Sequence, residues 1–523
     1  MMKNNYQYDY TAPEDQYVNT DLHTNKIVDA NYVDTYLFRR NPYIEALPLP
    51  KTGRDEIVRT YSSLPAMPSY EEFIKMPPQI KTMLIDNLDK IRFALPFYKD
   101  LEAKFYRTLT DAYSMRVEYE MHDTVELNGV SYEAETGLKA NHEGESVNGF
   151  SVLGVAGTGK STAMNRILDH FPQVIRHHLD GRTVIQLVYL YITCENNSNF
   201  SALYQQIGAK IDEALNNGNH FYENAIAKER TLGQKSLKVR SFIKKLNIGC
   251  LIFDEIQNID LTSTSENSIE ALLTINNDAH VGIGVMGTEE AFNKIFSRER
   301  IARRLSDYVG AGRYCENMDA CASIVRALFD SVSFFPEKIV PGKDIIKVFW
   351  DETNGIIAYI LKLFILVVKD YTFKKEKPEI TAEYVQKIAV EKNKILHDLV
   401  KDKNKSYGPS ELKYQKLIKE MNEYDYDQEK RQEDDEFIHA DMDRIFPDKE
   451  SIIQNILTVH PEYNRGTVEN AVNIAMTKGN DTVMSITEAA IAHLKKGNTD
   501  RRRKQKSLLS PEEMLHNIDN GSK

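Results

Sequence analysis

The sequence predicts an α/β fold with a parallel sheet, followed by a helical lid and a helical C-terminal region. Up to about residue 320, strands that are apolar nearly throughout alternate with helical patterns. Such strands are typical of a parallel sheet that is covered on both faces. A glycine-rich turn joins the first of these strands to a helix, and an acidic pair ends a later one. Beyond residue 320 only helical patterns follow.

Length and composition narrow the class of protein. The chain has 523 residues, which suits about two to three domains. Its net charge of −11 excludes a surface that is basic throughout, so any contact with nucleic acid requires a local patch. The four cysteines form no C-x-x-C pair, which favours a reduced, intracellular protein without a zinc site. We expect no signal peptide and no membrane span, because the start is polar and no apolar run is long enough.

The N-terminal third combines a polar arm with short elements. Residues 1–35 are polar and rich in tyrosine, so they predict an extended arm with little core, which is either a partner-binding segment or a disordered tail. An apolar plug at 41–48 is bracketed by prolines, and further prolines predict irregular structure over 48–80. Helices are expected at 80–94 and 97–113. Asn128-Gly129 indicates a hairpin within 118–135.

The stretch 150–162 is a strand, a glycine loop and the start of a helix. Its loop fits G-x-x-x-x-G-K-[ST] at every fixed position. The glycines let backbone N–H groups point at a phosphate, and the helix N-terminus adds partial positive charge. The lysine of this pattern reaches the β- and γ-phosphates, and the serine hydroxyl binds Mg²⁺. The predicted ATP site comprises Gly154, Val155, Ala156, Gly157, Thr158, Gly159, Lys160, Ser161 and Thr162, with Ser161 as a metal ligand.

Strands and helices alternate after this loop. The residues 216–235 form a polar crossing, and the helix after it is basic. Strands are predicted at 184–192, 248–253, 281–286 and 314–318, and helices at 163–170, 200–215, 236–246, 268–278 and 289–296.

The acidic pair Asp254-Glu255 ends a buried strand and supplies what hydrolysis needs. Asp254 is predicted to hold Mg²⁺, and Glu255 to orient and deprotonate the attacking water. Thr288 follows the next strand and is expected beside the γ-phosphate; its alternative role is to cap the helix that follows.

Three basic residues are further candidates for the nucleotide site. Arg303 or Arg304 is predicted to reach the γ-phosphate of a neighbouring subunit, the alternative being a salt-bridged surface helix. Lys362 interrupts the most apolar helix of the chain, where a cation is costly without an anion. Bound nucleotide is one such anion, and a lysine that extends to solvent is the alternative.

Helices, a charged linker and a basic tail make up the C-terminal part. Lid helices are predicted at 320–333, 344–353, 356–371 and 381–399, with Thr381 as an N-cap. Three more helices follow within 445–494, and the tail carries Arg501-Arg502-Arg503-Lys504. The predicted divisions are an arm (1–95), a nucleotide-binding domain (96–320), a lid (321–400), a linker (401–444) and a C-terminal region (445–523).

Over roughly residues 36–400 the chain resembles the AAA+ ATPases and, within them, the transposition regulators called TnsC. Besides the nucleotide motifs, this resemblance rests on NPYIEALP at 41–48, NRILDHFPQVIRH at 165–177, LIFDEIQNI at 251–259, MGT at 286–288, the paired arginines 303–304 and KLF at 362–364.

The resemblance implies a bacterial, cytoplasmic switch rather than a metabolic enzyme. Such proteins assemble on double-stranded DNA with ATP as rings or filaments, are recruited by a target-selector protein, and engage the transposase. ATP hydrolysis then dissolves the assembly. The family's architecture implies DNA contacts near Asn196, Asn197 and Ser198, and we hypothesise further contacts from Lys238, Arg240, Lys244 and Lys245, for which a solvated helix is the alternative. A further hypothesis gives the N-terminal arm to the selector and the tail to the transposase.

Two other functions share the same nucleotide motifs. One is an AAA+ replication initiator or helicase loader, which would usually carry a winged-helix or helix-turn-helix reader; residues 445–494 are helical but show no clustered base-reading side chains. The other is a signalling NTPase without a DNA role, which the acidic composition favours. A DNA-shift assay with and without ATP separates the signalling protein from the other two.

Overall fold

The computed structural model describes residues 9–18, 20–22, 26–141, 147–196, 199–259, 269–288, 305, 307–310, 318–403, 449–460, 462–477 and 486–496. In these ranges the strands are β1 (Ile27–Asp29), β2 (Arg116–Leu127), β3 (Val130–Ala140), β4 (Phe150–Leu153), β5 (Val174–Leu179), β6 (Arg182–Leu187), β7 (Tyr189–Thr193), β8 (Cys250–Asp254), β9 (Gly282–Gly287) and β10 (Asp307–Gly310).

A parallel sheet forms the centre of the fold, in the order β10-β4-β9-β8-β7. Every residue of β4, β8 and β9 is buried, because helices cover both faces. Successive side chains of β8 alternate between the two cores: Ile252 packs on the side of α5 (Phe97–Ser114) and α6 (Lys160–Leu168), whereas Leu251 and Phe253 face α7 (Phe200–Ala214) and α9 (Leu232–Lys245). The predicted fold class is confirmed.

Helices before the lid follow the predicted pattern with shifted ends. The polar crossing predicted at 216–235 contains a helix of its own, and the helix predicted at 80–94 is shorter and ends in a 3₁₀ turn, Asn87–Lys90. The remaining helices of this part are α1 (Pro42–Glu45), α2 (Arg54–Tyr61), α3 (Tyr70–Lys75), α4 (Pro78–Asp86), α8 (Phe221–Ala227) and α10 (Ile269–Ala279).

One strand prediction is wrong, and another falls almost entirely outside the described residues. The run 184–192 is two strands: β6 pairs antiparallel with β5 in a small sheet, and β7 enters the central sheet. The chain changes sheets at Val188, which is buried like its neighbours, so the apolar pattern does not mark the break. Of the strand predicted at 314–318, residues 314–317 lie outside the described ranges, and Met318 begins a helix. A strand that the sequence does not predict, Asp307–Gly310, forms one edge of the central sheet. As an edge strand with one buried residue, Val309, it has little apolar signal.

The hairpin predicted at Asn128-Gly129 is confirmed. β2 and β3 pair antiparallel up to Leu127 and Val130. Asn128 and Gly129 have φ values of 54° and 72°, and two positive values are what the two-residue type I′ turn requires. The turn is fixed to the body of the protein, since the Asn128 N–H donates to the carbonyl of Leu215 at 2.8 Å.

The described part of the N-terminal arm is packed, which corrects the expectation of little core. β1 pairs in parallel with β5. Tyr17 and Tyr32 are buried, and the Tyr17 hydroxyl donates to the carbonyl of Ala46 at 2.8 Å. Tyrosine supplies a large apolar ring as well as a polar group that needs a partner, so a tyrosine-rich segment can be tied down without aliphatic residues.

In their described residues, the lid and the C-terminal region consist of helices and the turns and loops that join them. Thr381 is an N-cap as predicted, accepting from the N–H of Tyr384 at 3.2 Å. The helix predicted at 381–399 is two helices that meet at Asn393. The region predicted at 445–494 contributes Ile452 and Val468 to the same core as the lid. These helices are α11 (Met318–Asp330), α12 (Lys343–Thr353), α13 (Ile357–Phe373), α14 (Ala382–Lys392), α15 (Lys394–Lys403), α16 (Lys449–Val459), α17 (Arg465–Thr477) and α18 (486–496).

Most of the predicted linker and the arginines of the tail lie outside the described ranges. Among the helices that the structure does describe, none combines the length and apolarity needed to span a bilayer.

Candidate nucleotide-binding site

The phosphate loop curls between β4 and α6 at the carboxyl end of the central sheet. Gly157 and Gly159 have φ values of 86° and 92°, a region that glycine adopts without steric cost. Helix α6 begins at Lys160, directly after Gly159. The loop is attached to the neighbouring strand, since the N–H of Gly154 donates to the carbonyl of Gly287 at 3.3 Å. The strand, loop and helix predicted from the motif are therefore present.

Lys160 lies inside the curl of this loop. Its Nζ donates to the carbonyls of Gly154 and Val155 at 2.8 and 2.9 Å, and the residue is 8% exposed. The Thr158 hydroxyl donates to the Val155 carbonyl at 3.0 Å and braces the same turn. A cation held by carbonyl oxygens at the mouth of a helix N-terminus is placed to exchange those oxygens for a phosphate.

Ser161 and Asp254 meet at the predicted metal position. The Ser161 hydroxyl donates to Asp254 Oδ2 at 2.6 Å, although the two residues belong to α6 and β8. Asp254 is 4% exposed, and its Oδ1 accepts from the backbone N–H of Glu255 at 2.8 Å. A hydroxyl and a carboxylate oxygen that converge in this way are the hard donors that Mg²⁺ prefers.

Tyr191 joins this pair and was not among the predicted site residues. Its hydroxyl donates to Asp254 Oδ2, the oxygen that Ser161 also contacts. Burial raises the pKa of Tyr191, and the carboxylate of Asp254 raises it further, so the hydroxyl keeps its proton and remains a donor. Nothing in the sequence marks this role, because a tyrosine within an apolar run is read as an ordinary strand residue.

Glu255 and Thr288 are linked through a second residue outside the predicted set, Gln257. The side-chain amide nitrogen of Gln257 donates to Glu255 Oε2, and its amide oxygen accepts from the backbone N–H of Thr288 at 3.1 Å. β9 lies between β4 and β8, so Thr288 follows a strand that separates the phosphate loop from the acidic pair. Gln257 thus joins Glu255 to the segment at Thr288, and the place of Thr288 beside the γ-phosphate stays a prediction.

The lid contacts the phosphate loop at the start of α13. The N–H of Ala358 donates to the carbonyl of Gly157 at 3.3 Å. Lys362 lies one turn further along α13 and is exposed, so the premise that its cation is buried among apolar residues is wrong. Exposure removes the need for an anion, and a role in nucleotide binding stays a prediction. Arg303 and Arg304 lie outside the described ranges.

The residues proposed for DNA contact differ in accessibility. Asn196 is exposed, while Asn197 and Ser198 lie outside the described ranges. On α9, Lys238 and Arg240 are half-buried and Arg240 pairs with Asp278.

The other two lysines proposed for DNA contact, Lys244 and Lys245, have different surroundings. Burial lowers the pKa of the half-buried Lys244, and the nearby Arg240 and Lys139 lower it further. The side chain of Lys245 is 3% exposed and pairs with Asp123 at 3.0 Å, so it does not reach a DNA surface and that prediction is wrong for this residue.

Comparison with known proteins gives a family match over the centre of the chain. Residues 148–296, which include both the phosphate loop and the acidic pair, match the family described as AAA domain. No curated protein matches the chain.

Two solved structures are similar to parts of the chain. Cdc6p from Pyrobaculum aerophilum is 13% identical with a TM-score of 0.29, over 45% of this chain and 56% of that protein. PCH-2 from C. elegans is 13% identical with a TM-score of 0.26, over 49% of this chain and 62% of that protein. The chain thus spans less than two thirds of either protein. Residues 148–296 are thus similar to an AAA domain. The described part of this region has the fold of an AAA+ P-loop NTPase, with the candidate nucleotide-binding site at the carboxyl end of its sheet.

Proposed function

We propose that the protein is an ATPase that regulates DNA transposition by assembling on target DNA with ATP and dissociating after hydrolysis. One observation supports the enzymatic part above all others: the phosphate loop, the Ser161–Asp254 pair at 2.6 Å and Glu255 converge at one end of the sheet. The part that concerns transposition rests on the resemblance in sequence to the TnsC regulators.

The phosphate loop would bind the ATP phosphates through its backbone N–H groups and Lys160. Ser161 and Asp254 would hold Mg²⁺, whose positive charge offsets that of the phosphates. Tyr191 donates to Asp254 and so orients the carboxylate. In metal sites, residues that form hydrogen bonds to a metal ligand orient that ligand in this way. Their loss commonly lowers the affinity for the metal by about 10–100-fold.

Glu255 is the residue placed to activate water. Its carboxylate would take a proton from the water whose oxygen bonds to the γ-phosphorus. The bond from the γ-phosphorus to the β,γ-bridging oxygen breaks, and ADP leaves with that electron pair. Thr288 would help to position the water. The arginine that stabilises the transferred charge, Arg303 or Arg304 of a neighbouring subunit, stays a prediction.

Assembly and hydrolysis are coupled if ATP lies between subunits. An arginine of one subunit and Glu255 of the next would then act on the same nucleotide, the arginine at the γ-phosphate and Glu255 through the attacking water, so the assembled state would depend on the γ-phosphate. Contacts to the DNA backbone without base reading suit a protein that accepts many sites. The proposed partners are double-stranded DNA, further copies of the chain, the target-selector protein and the transposase.

Imaging of the full-length chain with duplex DNA tests this proposal. We expect rings or filaments on DNA with ATP and their absence with ADP, because only ATP supplies the γ-phosphate at the subunit boundary. An accompanying phosphate-release assay should detect turnover. Monomers with both nucleotides would contradict the assembly switch, and failure of the assembled protein to retain transposase in a pull-down would contradict the link to transposition.

Reversing two partly exposed charges on α9 should weaken DNA binding. We expect the double variant Lys238→Glu, Lys244→Glu to reduce the slope of log K against log salt by about 2, since each lost phosphate contact in B-DNA removes about 0.9. Binding measured over a salt series checks this. The control, Lys347→Glu with Lys375→Glu, makes the same change in net charge at exposed lid positions. Equal slopes for both variants would show that α9 does not face the DNA.

A further inference from the structure

We propose that Gln257 is a positioning residue for hydrolysis, which orients the carboxylate of Glu255 and couples it to the segment at Thr288. This inference rests on the proposed ATPase activity and adds to it a residue and a means of regulation. It follows from the two hydrogen bonds of the Gln257 side chain and from the rigidity of the turn that carries it.

The two bonds determine which way the amide faces. The backbone N–H of Thr288 can only donate, so the atom opposite it at 3.1 Å must be the amide oxygen of Gln257. The Glu255 carboxylate can only accept, so it must face the amide nitrogen. Among uncharged side chains, a primary amide of this length supplies both at once. Asparagine has one methylene fewer, and alanine supplies neither bond.

The turn that carries Gln257 is held from several sides. It is a 3₁₀ turn, Ile256–Asn258, separated from β8 only by Glu255, and the side chain of Ile256 is fully buried. The Asn258 amide donates to the carbonyl of Cys194 at 3.0 Å, and the Cys194 N–H donates to the carbonyl of Asp254 at 2.9 Å. The backbone of Gln257 is therefore fixed, so its amide has a defined place.

Glu255 itself adopts a left-handed backbone conformation. Its φ is 55°, which is unfavourable for a residue with a Cβ atom and persists only where the surroundings enforce it. The conformation turns the chain at the end of β8 and aims the Glu255 carboxylate at the Gln257 amide. Of the two carboxylate oxygens, Oε2 accepts from Gln257, and Oε1 is left to accept a proton from water.

Orientation of this kind affects the rate of the chemical step more than it affects nucleotide binding. A base that rotates freely spends little time in line with the attacking water, and a displacement of about 1 Å in such a site can cost about 10²-fold in rate. The hydrogen bonds described for the Gln257 side chain go to Glu255 and Thr288 rather than to the phosphate loop. Its removal should therefore lower kcat while leaving KM nearly unchanged.

The same amide connects the base with the phosphate side of the site. Thr288 follows Gly287, whose carbonyl accepts from the N–H of Gly154 in the phosphate loop at 3.3 Å. A shift of this segment is passed to Glu255 through one side chain, because the Thr288 N–H and the Glu255 carboxylate share Gln257. The alignment of the base thus depends on the position of the segment that adjoins the phosphates.

Substitution by glutamate separates positioning from a merely structural role. In Gln257→Glu the new carboxylate still accepts from the Thr288 N–H, but it places a second negative charge against Glu255. Two carboxylates this close share a proton, so one of their apparent pKa values rises. When protonated, the new side chain donates to Glu255 as the amide does. Its activity relative to the wild type should rise as the pH falls.

The experiment measures kcat and KM for phosphate release over a pH series, with nucleotide binding and melting temperature recorded for each variant. We expect Gln257→Ala to lower kcat by about tenfold or more with KM changed less than about twofold. The ratio of Gln257→Glu to wild type should increase towards acidic pH. The control is Asn258→Ala, which removes the side-chain hydrogen bond from the same turn to Cys194 and keeps the backbone hydrogen bond to Glu255, and it should show no such pH dependence.

A kcat for Gln257→Ala equal to that of the wild type would overturn the inference, as would a ratio for Gln257→Glu that does not change with pH. Either result, obtained with normal wild-type turnover, leaves the proposed ATPase intact. A wild-type chain that binds ATP and releases no phosphate would overturn the proposed activity and this inference together.

Discussion

Glu255→Gln should abolish most ATP turnover while ATP remains bound. The amide has nearly the shape of the carboxylate but cannot accept a proton from water, and loss of a general base commonly lowers kcat by about 10²–10⁴-fold. ATP binding should be preserved, because the hydrogen bonds described for Lys160, Ser161 and Asp254 do not involve the side chain of Glu255. Phosphate release and the affinity for ATP, measured on one preparation, check the expected loss of turnover and the expected retention of binding.

This variant also tests the proposed switch. If hydrolysis dissolves the assembly, rings or filaments formed by Glu255→Gln on DNA with ATP should outlast those of the wild type. The matched control is Glu383→Gln, the same substitution at an exposed lid position. Turnover within about tenfold of the wild type would show that Glu255 is not the base. A loss of ATP affinity equal to the loss of rate would instead assign it to binding.

The centre of the site could be predicted from the sequence because its chemistry is local. The phosphate loop needs its glycines and Lys160 at fixed spacing, and the strand before the loop and the helix after it are encoded beside it. The pair Asp254-Glu255 is likewise read from one strand end. What joins the two motifs is the parallel sheet, which brings the carboxyl ends of β4 and β8 to the same edge.

Residues that act through tertiary contacts could not be predicted in this way. Tyr191 contacts Asp254 across two neighbouring strands, and Gln257 reaches Thr288 across 31 residues of chain. Neither contact has a spacing that a motif could encode. The wrong prediction for Lys245 has the same cause. In the sequence Lys245 resembles a surface cation in a basic helix, but its partner Asp123 lies 122 residues away in the hairpin.

The ends of strands are hardest to predict where all neighbouring residues are buried or where very few are. Between β6 and β7 the chain passes from one sheet to another without an exposed residue, so hydrophobicity alone does not show the change. β10 presents the opposite case, since an edge strand with one buried side chain carries almost no pattern. The sequence predicts an extended arm if its tyrosines are treated as polar, whereas Tyr17 and Tyr32 pack as aromatic residues whose hydroxyls have partners.

The second large effect concerns stability and the buried carboxyl of Glu102. This residue of α5 is 1% exposed, and its Oε2 has no hydrogen-bond partner. Burial raises the pKa of Glu102 from 4.5 to about 7, and interactions with Tyr61 and the backbone of Lys51 offset only part of that increase. The folded protein therefore favours the neutral carboxyl, and the charged form is costly.

The direction in which stability changes with pH follows from the protonation of Glu102 in the folded and the unfolded chain. Between pH 4.5 and about 7 the folded chain keeps a proton on Glu102 that the unfolded chain releases, so stability falls as the pH rises through this interval. Above pH 7 both states are charged, and the full cost of the buried charge is present. At about 1.4 kcal/mol for each tenfold change in proton affinity, that cost is about 3 kcal/mol.

Glu102→Gln should remove this cost, because an amide of the same shape stays neutral. We expect the free energy of unfolding to exceed that of the wild type by up to about 3 kcal/mol near pH 8, and the difference to shrink towards pH 5. Denaturant unfolding at a series of pH values measures it, with the exposed Glu383→Gln as the control. A difference between Glu102→Gln and wild type that stays constant with pH would mean that Glu102 is ionised in the folded protein at no cost, so that Tyr61 and its other neighbours compensate fully for burial.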